Sequence, residues 1–62
     1  NNSLIIPTNN GLITYQVQKG DSLWDIALMY DSNDIENFLF EAKKLNNLQN
    51  SAIYEDQILI IP

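Results

Sequence analysis

The sequence predicts a small α+β domain with the element order strand, helix, helix, strand. Three observations carry this reading: a short strict alternation of polar and apolar residues, two stretches with apolar residues at helical spacing, and a closing aliphatic run that stops at a proline. Thr14-Tyr15-Gln16-Val17-Gln18 is the alternating stretch, with Tyr15 and Val17 on one face and Thr14, Gln16 and Gln18 on the other. A strand buried on one side requires that pattern. Lys19-Gly20-Asp21 then breaks it.

A helix is expected at once. Ser22 with Asp25 three residues later is a shortened capping box, and Asp21 is an equally suitable cap. Leu23, Ile26, Ala27 and Tyr30 recur at i, i+3, i+4 and i+7, an apolar stripe on a helix of about eight or nine residues. Trp24 lies one position off the stripe and is expected to be partly exposed. Asp31-Ser32-Asn33 ends the helix and offers caps for a second one, on which Ile35, Phe38, Leu39, Ala42 and Leu45 share a face. Lys43 and Lys44 fall in its last turn, where cations complement the helix dipole.

Asn46-Asn47-Leu48-Gln49-Asn50-Ser51 reads as a polar loop, and Gln57-Ile58-Leu59-Ile60-Ile61 as a strand ended by Pro62. Antiparallel pairing of the two strands closes the chain, with both helices on one face of a two-stranded sheet. Leu59 and Ile61 then point into the core with Tyr15 and Val17, while Ile58 and Ile60 form an apolar patch on the outer face that something should cover. Residues 1–13 are read as an N-terminal linker or fold-back segment, and residues 14–62 as the domain. Leu4-Ile5-Ile6-Pro7 repeats Leu59-Ile60-Ile61-Pro62, which makes it either a cover for that patch or the tail of a preceding module; the plainer alternative is that a crystal or dimer contact covers the patch.

Composition narrows the function. Sixty-two residues suffice for one domain. Eight carboxylates against three lysines give a net charge of −5, with only Lys43 and Lys44 adjacent. Nucleic acids and anionic membranes need a basic surface, so both are set aside; a neutral ligand stays open. No apolar run approaches the roughly 18 residues of a membrane span. With no cysteine or histidine, no metal site and no cofactor are expected.

Catalysis is not expected either. Asp21 with Asp25, or Glu55 with Asp56, has the residue types of an acid/base pair, but such pairs must flank a bond inside a cleft that raises one carboxyl's pKa. Neighbours on a capped helix or in a surface turn are solvated instead.

The segment from Tyr15 to Ala27, Tyr-Gln-Val-Gln-Lys-Gly-Asp-Ser-Leu-Trp-Asp-Ile-Ala, resembles the opening signature of the LysM family. Ile53 to Pro62 is similar to that family's terminal strand, and Asn46-Asn47-Leu48 to the Asn-containing turn after its second helix. The resemblance runs from Thr14 to Pro62 and departs from the family twice. Asp56 stands where the family usually has glycine, and the middle of the chain is longer, similar to a subtype from Gram-positive bacterial envelope proteins.

The resemblance implies a βααβ LysM fold and non-catalytic binding of N-acetylglucosamine-containing glycans, peptidoglycan or chitooligosaccharide, in a shallow groove between two loops. By position these are Gly20, Asp21, Ser22 and Leu23 in the first loop, and Leu48, Gln49, Asn50, Ser51, Ala52 and Ile53 in the second. Leu23, Ala52 and Ile53 would form the notch for an N-acetyl group; Gly20, Ser22, Asn50 and Ser51 would meet the amide and hydroxyls. The same residues have plainer roles open to them: Asp21 and Ser22 as caps, Leu23 and Ile53 as core, Asn50 and Ser51 as turn formers. The implied setting is extracytoplasmic, with a parent protein anchored to the cell wall and other LysM modules of the same chain as further partners. The alternative is an assembly module that keeps the fold without sugar affinity.

Overall fold

β1 (Ile13–Gln16) and β2 (Ile58–Ile61) pair antiparallel, with Tyr15 opposite Leu59 and Ile13 opposite Ile61. Between them run α1 (Leu23–Tyr30) and α2 (Ile35–Leu45), so the βααβ order expected from the sequence is the order observed. The computed structural model describes residues 11–62; what the sequence suggests for Leu4–Pro7 lies outside the described residues.

Both strands are shorter than the aliphatic patterns suggest, and the cause is local. The Val17 amide donates to the Gln57 carbonyl at 2.8 Å, while the Val17 carbonyl accepts from the Asp56 amide at 2.7 Å. Two residues thus face one, which is a β-bulge, and its first residue, Asp56, is left-handed at φ 72. Glycine is the usual occupant of such a position, and Asp tolerates it better than most other residues. The turn leading in is closed by the Gln57 amide on the Tyr54 carbonyl at 3.1 Å and by the Tyr54 amide on Gln57 Oε1 at 2.8 Å. Gln16 Nε2 also donates to Asp56 Oδ1 at 3.3 Å.

Ser22, not Asp21, caps α1: its hydroxyl accepts from the Asp25 amide at 3.1 Å and donates to Asp25 Oδ2 at 2.9 Å. The Asp25 side chain, one methylene shorter than Glu, meets the hydroxyl rather than the cap's own amide. The cap of α2 is Asp34, one residue beyond the expected Asp31–Asn33, and accepts from the Asn37 amide at 3.3 Å. Asp31 is still closing α1, its amide donating to the Ala27 carbonyl at 2.8 Å, and Ser32-Asn33 forms the turn between the helices.

Val17, Leu23, Ile26, Ala27, Phe38, Ala42, Leu59 and Ile61 make the buried core. Leu59 and Ile61 face inward as the alternation requires, leaving Ile58 exposed and Ile60 half-buried on the other face. α2 lies against both β2 and α1. α1 reaches the sheet through Tyr30, whose ring meets Tyr15 edge-on at 6.3 Å and stacks on Phe38 at 6.2 Å. Tyr30 and Leu45, both placed on core-facing stripes by their spacing, are each 43% exposed. Each is the last residue of its helix, Tyr30 of α1 and Leu45 of α2.

The junction of α2 and β2 depends on a side-chain amide. Asn46 Oδ1 accepts from the Ile60 amide at 2.8 Å, while its Nδ2 donates to the Ile60 carbonyl at 2.9 Å and to the Ala42 carbonyl at 2.8 Å. One side chain therefore serves as a one-residue partner strand for Ile60.

Ile26 is 0% exposed and Trp24 is 51% exposed. Ile26→Ala should therefore lower the unfolding free energy by about 2–5 kcal/mol, and Trp24→Ala by less than about 1 kcal/mol, as read by urea denaturation. Equal losses would contradict this assignment of the helix faces.

Candidate functional site

The first of the two loops is a tight turn governed by Asp21. The Asp21 amide donates to the Gln18 carbonyl at 3.0 Å, and its carboxylate accepts from the Gln18 amide at 2.9 Å. The same Oδ2 accepts the Tyr15 hydroxyl at 2.5 Å. Gly20 makes the reversal with φ +88, where a side chain would be strained. Asp21 thus ties the loop to β1, a role distinct from the helix cap that sequence reasoning also allowed it. Tyr15, read only as an inward-facing strand residue, is the partner that could not be seen from spacing alone.

The second loop begins at the end of α2. Asn47 is left-handed at φ 56, and the Leu48 amide donates back to the Lys43 carbonyl at 2.9 Å. Asn50 Oδ1 accepts from the Ala52 amide at 2.9 Å, a local turn of the kind Asn favours. Gln49, Asn50, Ser51 and Ala52 are exposed, and Leu48 and Ile53 are half-buried. Both loops are rooted in one apolar cluster, since Leu23 belongs to the core and Leu48 and Ile53 pack against it.

The ten positions divide by what they have left to offer. Leu23 is 1% exposed, so its side chain serves the core. The Ser22 hydroxyl is engaged twice with Asp25. Gly20 presents exposed backbone, Asp21 a second carboxylate oxygen, Asn50 its amide nitrogen and Ser51 its hydroxyl. The exposed methyl of Ala52 with the half-buried edges of Leu48 and Ile53 supplies apolar surface. The first loop thus offers backbone and a carboxylate oxygen, and the second offers short polar side chains with a small apolar surface, the mixture that small-ligand sites use. Trp24, exposed as expected, stands on the first turn of the helix that follows the first loop.

The electrostatics of the first loop follow from the Tyr15–Asp21 bond. That hydrogen bond, with the Gln18 amide second, holds the Asp21 carboxyl below its ordinary 3.8, against an opposing effect of burial. The same bond pushes the Tyr15 hydroxyl above its ordinary 10.0, with burial and the carboxylate's charge adding to it. For Asp21 the folded state binds its proton less readily than the unfolded state. The stability this brings is fully present above 3.8 and is lost as the pH falls from there through the lowered folded value. For Tyr15 the stability is present below 10.0 and is lost as the pH rises through the raised folded value. Asp21→Asn should accordingly flatten the acid limb of a stability-against-pH curve, and Tyr15→Phe should flatten both limbs. An acid limb as steep in Asp21→Asn as in the parent chain would contradict this account.

No solved structure matches the chain significantly. A family model described as LysM domain matches residues 15–37 and 43–62. The matched segments take in the second half of β1, the first loop and α1 on one side, and the second loop with β2 on the other. The interval between them, residues 38–42, falls within α2. Over most of its length, from Tyr15 to Pro62, the chain belongs to the LysM domain family.

Proposed function

We propose that the domain binds N-acetylglucosamine-containing glycans through Gly20–Leu23 and Leu48–Ile53, and so anchors a parent protein, outside the cytoplasm, to peptidoglycan of the cell wall. LysM domains are generally non-catalytic binding modules for peptidoglycan and chitin, typically found in extracellular or cell-wall proteins. The observation that carries the proposal is that the family match runs through both loops, one in each matched segment. The chemistry of the loops agrees with it: short polar groups and apolar edges serve a neutral sugar, whose binding does not require a basic surface in a chain of net charge −5.

Binding should be weak, because two exposed loops bury little area and must offset the entropy of association. Titration with chitooligosaccharide should move NMR signals of Gly20–Leu23 and Leu48–Ile53 at millimolar sugar, and insoluble peptidoglycan should retain the domain. No shifts and no retention would overturn the proposal and leave an assembly module that keeps the fold without sugar affinity.

A further inference from the structure

Beside the second loop, on the outer surface of α2, lies an open groove of about 470 Å³ lined by Glu36, Leu39, Phe40, Lys43, Lys44 and Leu48. Its chemistry differs from that of the loops. Phe40 lies off the apolar stripe of α2 and is 60% exposed, so its ring takes no part in the core. Lys44 Nζ sits 5.6 Å from the centre of that ring. Two of the three cations in a chain of net charge −5 therefore converge on one apolar surface. Neither lysine is paired with a carboxylate among the described residues. Glu36, at the far end of the groove in sequence, is the one anionic group in the lining.

The groove is continuous with the candidate glycan loop. Leu48 belongs to both, and its amide is bonded to the Lys43 carbonyl at 2.9 Å. A ligand lying on the second loop that also carries an apolar, anionic branch would reach the groove without leaving the surface.

We propose that this groove takes the carboxylate-bearing peptide branch of the wall polymer whose glycan strand lies on the two loops, an inference that rests on the glycan reading above. The branch offers small apolar side chains to Leu39, Phe40 and Leu48 and free carboxylates to Lys43 and Lys44. An unbranched sugar polymer offers neither. The rest of the domain is acidic and repels an anionic polymer, so the two lysines determine where a branch can approach. The domain then distinguishes peptide-substituted glycan from chitin-type glycan, which the loops alone do not. Nucleic acid is a poor fit to the same surface, since two lysines beside a glutamate neutralise too few phosphates.

The test uses the full chain and three ligands of equal sugar length: a muropeptide, the same muropeptide with its branch carboxylates amidated, and a chitooligosaccharide. The muropeptide should bind about three- to tenfold more tightly than the chitooligosaccharide at low salt, the range expected for two exposed ion pairs. Amidation, about 0.5 M salt, or the double change Lys43→Gln with Lys44→Gln should each abolish that advantage. Phe40→Ala should reduce it. Chitooligosaccharide affinity should stay the same in every variant, which also shows that the variants are folded. Equal binding of muropeptide and chitooligosaccharide, or an advantage that survives the double change, would overturn the proposal while leaving the glycan reading intact. Binding of none of the three ligands would overturn the glycan reading and this proposal with it.

Discussion

The carboxamide of Asn46 joins the helical half of the domain to its sheet, and most of the remaining architecture depends on that join. A two-stranded sheet leaves every strand with an open edge, and an edge row of unpaired amides and carbonyls is unstable unless something satisfies it. Val17 exchanges its bonds with the bulge at Asp56 and Gln57, so alternation turns the peptide groups of Ile60 away from β1. Asn46 meets both of them, and its second N–H returns to α2 through the Ala42 carbonyl. An asparagine side chain suits the position because it presents a donor and an acceptor in the geometry of a peptide group. Each such bond contributes only about 0.5–1.5 kcal/mol net, but a buried group left unpaired costs about 1–3 kcal/mol. In a domain of this size that difference is a large part of the total stability.

The clasp also frames the candidate site. The second loop runs from Asn46, fixed to Ile60, to the bulge at Asp56, fixed to Val17. Both of its ends are anchored on the sheet while Gln49–Ala52 remain exposed between them. The first loop is held in a similar way, by the Asp21 carboxylate on Tyr15 and Gln18. Short loops fixed at both ends lose less entropy on binding than free ones, and that matters most for a ligand that contacts little surface. The exposed Phe40 and the two lysines extend the same face along α2.

Much of the fold could be read from local patterns. The alternation from Thr14 to Gln18, the stripes through Ile26 and Phe38, and the inward Leu59 and Ile61 are all short-range signals, and the core is built from them. The need for a left-handed residue at Asp56 was readable by comparison with the glycine usual there, and its φ of 72 meets it. Element ends were less legible because they depend on individual hydrogen bonds that the pattern of side chains does not reveal. β1 ends and β2 begins where the bulge interrupts the ladder, and α2 starts at Ile35, capped by Asp34, because Asp31 is still bonded into α1. Asn46 looked like one asparagine among several in a polar loop, since nothing nearby in sequence reveals a contact with Ile60. The site was legible only as positions within a family pattern. Which of those groups are already committed, such as the Ser22 hydroxyl and the Leu23 side chain, needed the structure.

The most direct measurement is the unfolding free energy of Asn46→Asp at neutral pH. The change is nearly isosteric, but it replaces the N–H donor with an anionic oxygen facing the carbonyls of Ala42 and Ile60. If the clasp holds β2 to α2, this variant should lose about 2–4 kcal/mol, and the Ile60 amide should lose its protection from hydrogen exchange. A loss within about 0.5 kcal/mol, the range of an ordinary surface substitution, with Ile60 still protected, would contradict the account.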